Sequence, residues 1–227
     1  MLDTLSSTAQ FLIPLAQIVG INIVLSGDNA VVIALAARAL PPVQQKKAVV
    51  WGSGAAIIMR IALTLTAVAL LAMPYLKLVG SVLLIWIGIG LLDSDEGEGD
   101  IKSSESLFDA IRTILVADLV MSLDNVLGVA AAAKGSFSLL IIGLALSIPL
   151  VIFGANMLLR MMERFPVIIT LGALLLGYVG GEMAVTDPAV EGWVDLHFHA
   201  LHVIVPITCA ALVFLVGRTL GARKLVA

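Results

Sequence analysis

The chain is a succession of apolar stretches long enough to cross a bilayer, and two of them contain the same polar insertion, Ser-x-Asp-Asn. A spanning helix needs about 20 mostly apolar residues. Seven segments meet that need: about 11–37, 48–73, 75–92, 111–133, 138–162, 166–185 and 198–219. In hydrocarbon every backbone N–H and C=O must be paired within its own segment, so such stretches become helices. The expected fold is an all-α membrane protein with seven transmembrane helices. Only 13% of the residues are charged, against roughly a quarter in a soluble domain.

Local signals agree. Pro74 and Pro166 stand where spans start, a place where a missing N–H does no harm. Trp51 and Trp193 fall near span ends, where amphipathic rings favour the interface. The first ten residues hold Asp3 and no Lys or Arg, so the first segment is expected to be a retained span rather than a cleaved signal. The single cysteine, Cys209, rules out an internal disulfide and a cysteine-based zinc site.

Basic residues set the expected orientation. Arg38, Lys46, Lys47, Lys102, Arg112, Arg160, Arg164, Arg218, Arg223 and Lys224 fall on the side reached after spans 1, 3, 5 and 7. The other side holds Lys77 and Lys134. Positive residues collect on the cytoplasmic side, which predicts an N-terminus outside and a C-terminus inside, in a bacterial cytoplasmic (inner) membrane.

The two insertions belong to a longer internal repeat. At an offset of 96, Asn22 pairs with Asp118, Ser26 with Ser122, Asp28 with Asp124, Asn29 with Asn125, and Arg60 with Asn156. In the third spans the offset shortens to 92, pairing Gly80 with Gly172, Trp86 with Tyr178, and Gly88 with Gly180. The unit is three spans, and an odd number inverts the second copy, a hallmark of secondary transporters with binding sites near the midplane. The expected organisation is a first three-helix repeat over 1–92, an acidic cytoplasmic linker over 93–110 and a second, inverted repeat over 111–185. An outer loop over 186–197 and a seventh helix with a basic tail over 198–227 follow.

Asp28, Arg60, Asp118 and Asp124 fall near mid-span. Each such charge costs about 2.5–3.5 kcal/mol at a helix centre, so they face the bundle interior and neutralise something. Three carboxylates and one guanidinium sum to −2, which suits a divalent cation. Asn29 and Asn125, with Asn22, Ser26 and Ser122 behind them, add neutral oxygens, and an all-oxygen set suits hard cations such as Mg²⁺, Ca²⁺ or Mn²⁺. Asp118, Ser122 and Asn125 share one helix face, as do Asn22, Ser26 and Asn29. Asp28 and Asp124 point about 100° away from those faces, so either the helices are locally unwound or these acids face another inner helix. Gly27 favours unwinding in the first copy, and Leu123 opposes it in the second. Small residues at Gly52, Ser53 and Gly54, and at Gly172, Gly177, Gly180 and Gly181, read as close helix packing. Outside, Glu182 and the spacing Asp195, His199, His202 mark a second, outer candidate metal site that includes two of the chain's three histidines.

The runs "SGDNAVVIALAAR" at 26–38 and "SLDNVLGVAAAAKG" at 122–135 resemble the paired motifs of the TerC family, and the resemblance extends over all seven spans. It is closest to the short bacterial branch described as metal transport proteins, within a lysine-exporter-type superfamily of inverted three-span repeats. The family was named for a link to tellurium resistance, and several members look like manganese exporters. The resemblance implies that Asp28, Asn29, Asp124 and Asn125 line a Mn²⁺ path. Asp118 adds a carboxylate where the first copy has Asn22, so the halves are not equivalent.

The expected function is export of Mn²⁺ by alternating access, with Arg60 and Asn156 behind the ligands and proton exchange at the desolvated carboxylates. The expected partners are the divalent ion and the lipid bilayer, with a homodimer and translocon contact as further expectations and no nucleic acid. No permanently bound cofactor is expected, Mn²⁺ being cargo. A Ca²⁺ or other divalent transporter is one alternative. An accessory factor for membrane-protein insertion or metal loading of exported proteins is another. No Ser-His-Asp set and no phosphate loop point to an enzyme.

Overall fold

A computed structural model describes residues 15–20, 27–71, 73–93, 106–133 and 136–224. Among these the chain is helical, in the order α1 (Gly27–Ala37), α2 (Pro42–Leu71), α3 (Leu76–Asp93), α4 (Leu107–Ala133), α5 (Phe137–Arg164), α6 (Val167–Val185), α7 (Glu191–His197) and α8 (Leu201–Lys224). Among the described residues, four helical stretches are long and apolar enough to cross a membrane: Pro42–Thr64, Phe137–Arg164, Val167–Val185 and Leu201–Leu220. Two shorter apolar helices, Gly27–Ala37 and Leu76–Leu92, accompany them. The linker stretch 94–105 lies outside the described residues.

The helix starts have chemical causes. Ser106 and Asp109 form a reciprocal capping box at α4: the Ser106 hydroxyl accepts the Asp109 N–H, and the Asp109 carboxylate accepts the Ser106 N–H. Ser136 caps α5 by accepting the Leu139 N–H. Helix α2 starts at Pro42, six residues before the apolar segment expected from sequence, and its first turns carry Gln44, Gln45, Lys46 and Lys47. Apolarity measures how much chain can sit in lipid, whereas the helix continues for as long as good helix formers do.

Helix α3 is held at both ends by charged side chains from elsewhere. At its N-terminus the buried Asp187 carboxylate accepts from Tyr75, Lys77 and Leu78 N–H at 2.9, 3.0 and 3.2 Å. Tyr75 has φ of 69°, the left-handed region. At the other end the Arg38 guanidinium donates to the Leu91 carbonyl at 2.7 Å. Negative charge at the N-terminus and positive charge at the C-terminus both oppose the helix dipole favourably.

The core lies among α1–α6, with Val32, Leu35, Val49, Leu84, Ile114 and Leu176 fully buried. Trp51, Ile58, Val82, Trp86, Phe153 and Leu215 are exposed on the outside. An apolar exterior of this extent belongs to a protein surrounded by lipid.

The packing pairs are reciprocal between the two helix triads. Helix α1 packs on α5 and α2 on α4, while α3 packs on α6. The last contact is reciprocal down to residues. A Cβ on Gly88 would lie 3.2 Å from the Ala173 carbonyl and 3.3 Å from Leu176 Cβ. A Cβ on Gly180 would lie 3.1 Å from the Ser81 carbonyl and 3.5 Å from Leu84 Cβ. The two helices therefore run antiparallel. At the offset of 92, Gly88 maps to Gly180, Ser81 to Ala173 and Leu84 to Leu176, so one contact is the image of the other. Helix α8 packs on α6 and α3.

Two expectations shift in detail. The region 186–197 holds the short helix α7, not only a loop, and the last long helix starts at Leu201 after a turn at 198–200 rather than running through from 198. Helix α4 runs unbroken through Asp124 and Asn125, as expected from Leu123, while residues 21–26, where unwinding before Gly27 is expected, lie outside the described residues.

Candidate functional site

Ser122 and Asp118 lie one turn apart on α4, on the face turned toward α2. Arg60 of α2 reaches both. Its Nη2 donates to Asp118 Oδ1 at 2.5 Å and its Nε to Ser122 Oγ at 3.0 Å. The Ser122 hydroxyl donates to Asp118 Oδ2 at 3.3 Å. Arg60 and Asp118 are 3% and 5% exposed, and Ser122 is fully buried. Thr64, also buried, returns its hydroxyl to the Arg60 carbonyl at 2.7 Å.

The network adjoins a cavity of about 10 Å³ lined by Asn29 and Ile33 of α1, Ser53, Ala56, Ile57 and Arg60 of α2, Asp118 of α4 and Val151 of α5. That is about the volume one water-sized sphere occupies. Both polar atoms of the Asn29 amide and the Ser53 hydroxyl are buried without a hydrogen-bond partner among the described residues. Buried polar groups are nearly always paired, so three orphan atoms beside an ion pair are a specific anomaly. Asn29 Oδ1, Ser53 Oγ and the Asp118 carboxylate are oxygens, the donors that hard cations take.

Asp28 sits in the first turn of α1, within electrostatic reach of Arg60 and Asp118, and its Oδ1 accepts the Asn29 N–H at 2.7 Å. Asn125 follows Asp118 by two turns on α4 and is half-buried. Asp124 is on the same helix, and its side chain lies outside what the structure describes, as do Asn22 and Ser26 altogether. Asn156 does not join the cluster: its amide donates to the Ile152 carbonyl at 2.7 Å, and it lines a separate groove with Phe153, Met157, Arg160 and Arg164. The repeat relation of Asn156 to Arg60 therefore carries no shared role. In the opposite direction, sequence reasoning passed over Ser53, which it took for a packing residue. The signal was available, because Ser53 and Arg60 are seven apart on α2 and share a face.

At the end of the bundle near the start of α3, Asp195, His199 and His202 offer ligand atoms all within 4.8 Å of one another. Glu182 is exposed on the last turn of α6 and stands outside this cluster. Asp187, also missed from sequence, is a structural acid. Burial raises its carboxyl, but the N–H groups of Ala189, Tyr75, Leu78 and Lys77 together outweigh that and hold it below the usual carboxylate range.

The sequence model of the Integral membrane protein TerC family matches residues 7–225. Among curated relatives, the "Uncharacterized membrane protein YjbE" of Bacillus subtilis (strain 168) is 45% identical over 205 residues, covering 90% of this chain and 94% of that protein. The "Uncharacterized membrane protein YkoY" of the same organism is 21% identical over 209 residues, 83% of this chain and 64% of its own length. The "UPF0053 inner membrane protein YoaE" of Escherichia coli (strain K12) is 27% identical over 188 residues, 73% of this chain and 36% of its own length. No solved structure matches the chain.

Proposed function

The chain belongs to the integral membrane protein TerC family and is a multi-pass membrane protein, and from that premise we propose that it exports a divalent metal ion, Mn²⁺, as a secondary transporter. The observation that carries this reading is the buried Arg60–Asp118–Ser122 network beside the unpartnered Asn29 and Ser53. A purely structural ion pair would not need two further polar side chains left without partners at its edge. A cation that takes oxygens from Asp118, Asn29 and Ser53 would satisfy them, with Asp28, Asp124 and Asn125 completing its path. Among hard cations the small cavity favours a compact ion over Ca²⁺, which takes six to eight oxygens at about 2.3–2.6 Å.

Arg60 is the resident countercharge. A divalent ion entering the site exchanges with the guanidinium for Asp118, so the carboxylate does not stand unpaired in the low-dielectric interior, where that would be costly. The same carboxylates bind protons in competition with metal, which supplies a route to coupling export to inward H⁺. Alternating access would rock one triad of helices against the other. The reciprocal Gly88 and Gly180 contacts between α3 and α6 support an inverted pair of three-helix repeats; with a seventh helix after them, the Lys and Arg asymmetry supports an N-terminus outside and a C-terminus in the cytoplasm.

The test is expression of the chain in a bacterium made manganese-sensitive by loss of its own exporter. Wild type should lower cell-associated manganese and restore growth, and Asp118→Asn, made to the same level in the membrane, should do neither. Equal rescue by Asp118→Asn would remove the site from the mechanism.

A further inference from the structure

We propose that Asp195, His199 and His202 form a surface site for a divalent first-row transition cation of borderline character, Zn²⁺ above all, distinct from the buried oxygen set. His202 Nε2 lies 2.7 Å from Asp195 Oδ1, and His199 Nδ1 lies 3.9 Å from the same oxygen. The two imidazoles stand 5.2 Å apart, centroid to centroid, tilted by 54°. Two donors bound to one tetrahedral zinc at about 2.1 Å each are separated by about 3.4 Å. The observed distances bracket that value, so small side-chain rotations bring all three atoms onto one ion.

The backbone beneath them is fixed. Asp195 is on α7, which the buried Val194 anchors. His199 is in the connecting turn, where Phe198 N–H donates to the Val194 carbonyl and Leu201 N–H to the Phe198 carbonyl. His202 is in the first turn of α8 and donates its N–H to the His199 carbonyl. Asp187 ties the preceding turn to α3 through the Tyr75, Lys77 and Leu78 N–H groups. The third histidine, His197, is committed elsewhere: its Nδ1 contacts the Trp193 carbonyl and its ring stacks on Trp193 at 5.2 Å.

Donor chemistry decides the ion. Two imidazole nitrogens and one carboxylate oxygen with an open fourth position make the set that zinc takes with three protein ligands. For such a set affinity rises along the first row from Mn²⁺ to a maximum at Cu²⁺, and Zn²⁺, though below Cu²⁺, binds more tightly than Mn²⁺. The surface site therefore selects a different metal from the buried one and is not a relay for Mn²⁺.

The experiment is calorimetric titration of the full-length, untagged chain in detergent with ZnCl₂ and with MnCl₂. Wild type should bind Zn²⁺ at this site more tightly than Mn²⁺, with a rise in its thermal midpoint on adding Zn²⁺. His199→Ala should weaken Zn²⁺ at least about tenfold. The His199→Ala, His202→Ala double variant should lose the site and the thermal shift while keeping the metal-free midpoint. The shape-conserving Asp195→Asn should act like His199→Ala. His197→Ala and Asp118→Asn should leave this affinity unchanged. Equal Zn²⁺ affinity in the double variant, the same loss in His197→Ala or Asp118→Asn, or no Zn²⁺ binding by wild type would overturn the proposal and leave a hydrogen-bonded surface pair.

Discussion

Arg60 of α2 and Asp118 of α4 meet at 2.5 Å with both side chains almost wholly sealed from the surface. At that depth an unpaired charge is costly, so each helps define what the other can do. The pair holds α2 to α4 and at the same time keeps Asp118 loaded with a cation of the protein's own. The predictions below separate these two roles.

Removing one partner of a buried pair leaves the other uncompensated, at a cost of about 3–5 kcal/mol. Arg60→Ala is expected to lower stability by that order, read by denaturant unfolding in detergent. Arg60→Ala combined with Asp118→Asn should recover part of the loss, because position 118 then no longer carries a charge that has lost its guanidinium. A double variant as unstable as the sum of the singles would deny the coupling.

Asn29 carries the opposite expectation. Its amide is buried with no partner among the described residues, so an apolar side chain of similar volume removes an unsatisfied group. Asn29→Leu should hold or raise the thermal midpoint and lower Mn²⁺ transport about tenfold or more. Ser53→Ala should follow the same pattern more weakly. A fall in stability with full transport would show the amide to be a structural group.

Asp187 accepts from four backbone N–H groups, three at the start of α3 from residues 75–78 and one from Ala189 in its own turn. Asp187→Asn should cost about 2 kcal/mol at neutral pH. An acid held below its ordinary value contributes its stability above about pH 4 and loses it as pH falls through the lowered value. Wild-type stability should therefore drop in that acid range, and the part of the drop due to Asp187 should vanish in Asp187→Asn. Unfolding midpoints measured at several pH values check the sign.

Gly181 faces the α8 backbone so closely that a Cβ would lie 2.5 Å from Pro206 Cα. Backbone cannot swing aside as a side chain can, so Gly181→Ala should destabilise by about 1–3 kcal/mol. Gly54 has nothing within 4 Å of a built Cβ, and Gly54→Ala should be neutral or stabilising by the helix propensity of alanine. Unfolding of the two variants side by side measures the difference.

Hydrophobic length made the all-helical, multi-pass class legible in the sequence; of the seven expected spans, four are helices long and apolar enough to cross a membrane among the described residues and two are shorter apolar helices. The mid-span residues Arg60 and Asp118 were recognisable because lipid cannot tolerate them alone, and the structure joins them. Gly180 was recognisable as a close-packing position and Gly88 as its repeat partner, and their contacts are mirror images. Ser53 was not read as a site residue, since a small hydroxyl between two glycines resembles packing and only its register with Arg60 says otherwise. Asp187 was not read either, because a carboxylate in a turn takes its meaning from backbone 112 residues away. Asn156 was drawn in by the repeat and belongs elsewhere, since divergence between two copies leaves alignment intact while changing what each position touches. The early start of α2 at Pro42 follows from helix propensity, which the apolar window does not register.

The most direct test is Mn²⁺ flux through the purified chain in liposomes loaded with a manganese-quenched dye, with protein-free and Asp118→Asn liposomes in parallel. Wild type should move Mn²⁺ well above the protein-free rate, and Asp118→Asn should fall to that rate. Flux through Asp118→Asn equal to wild type, or no Mn²⁺ flux through wild type, would contradict the account.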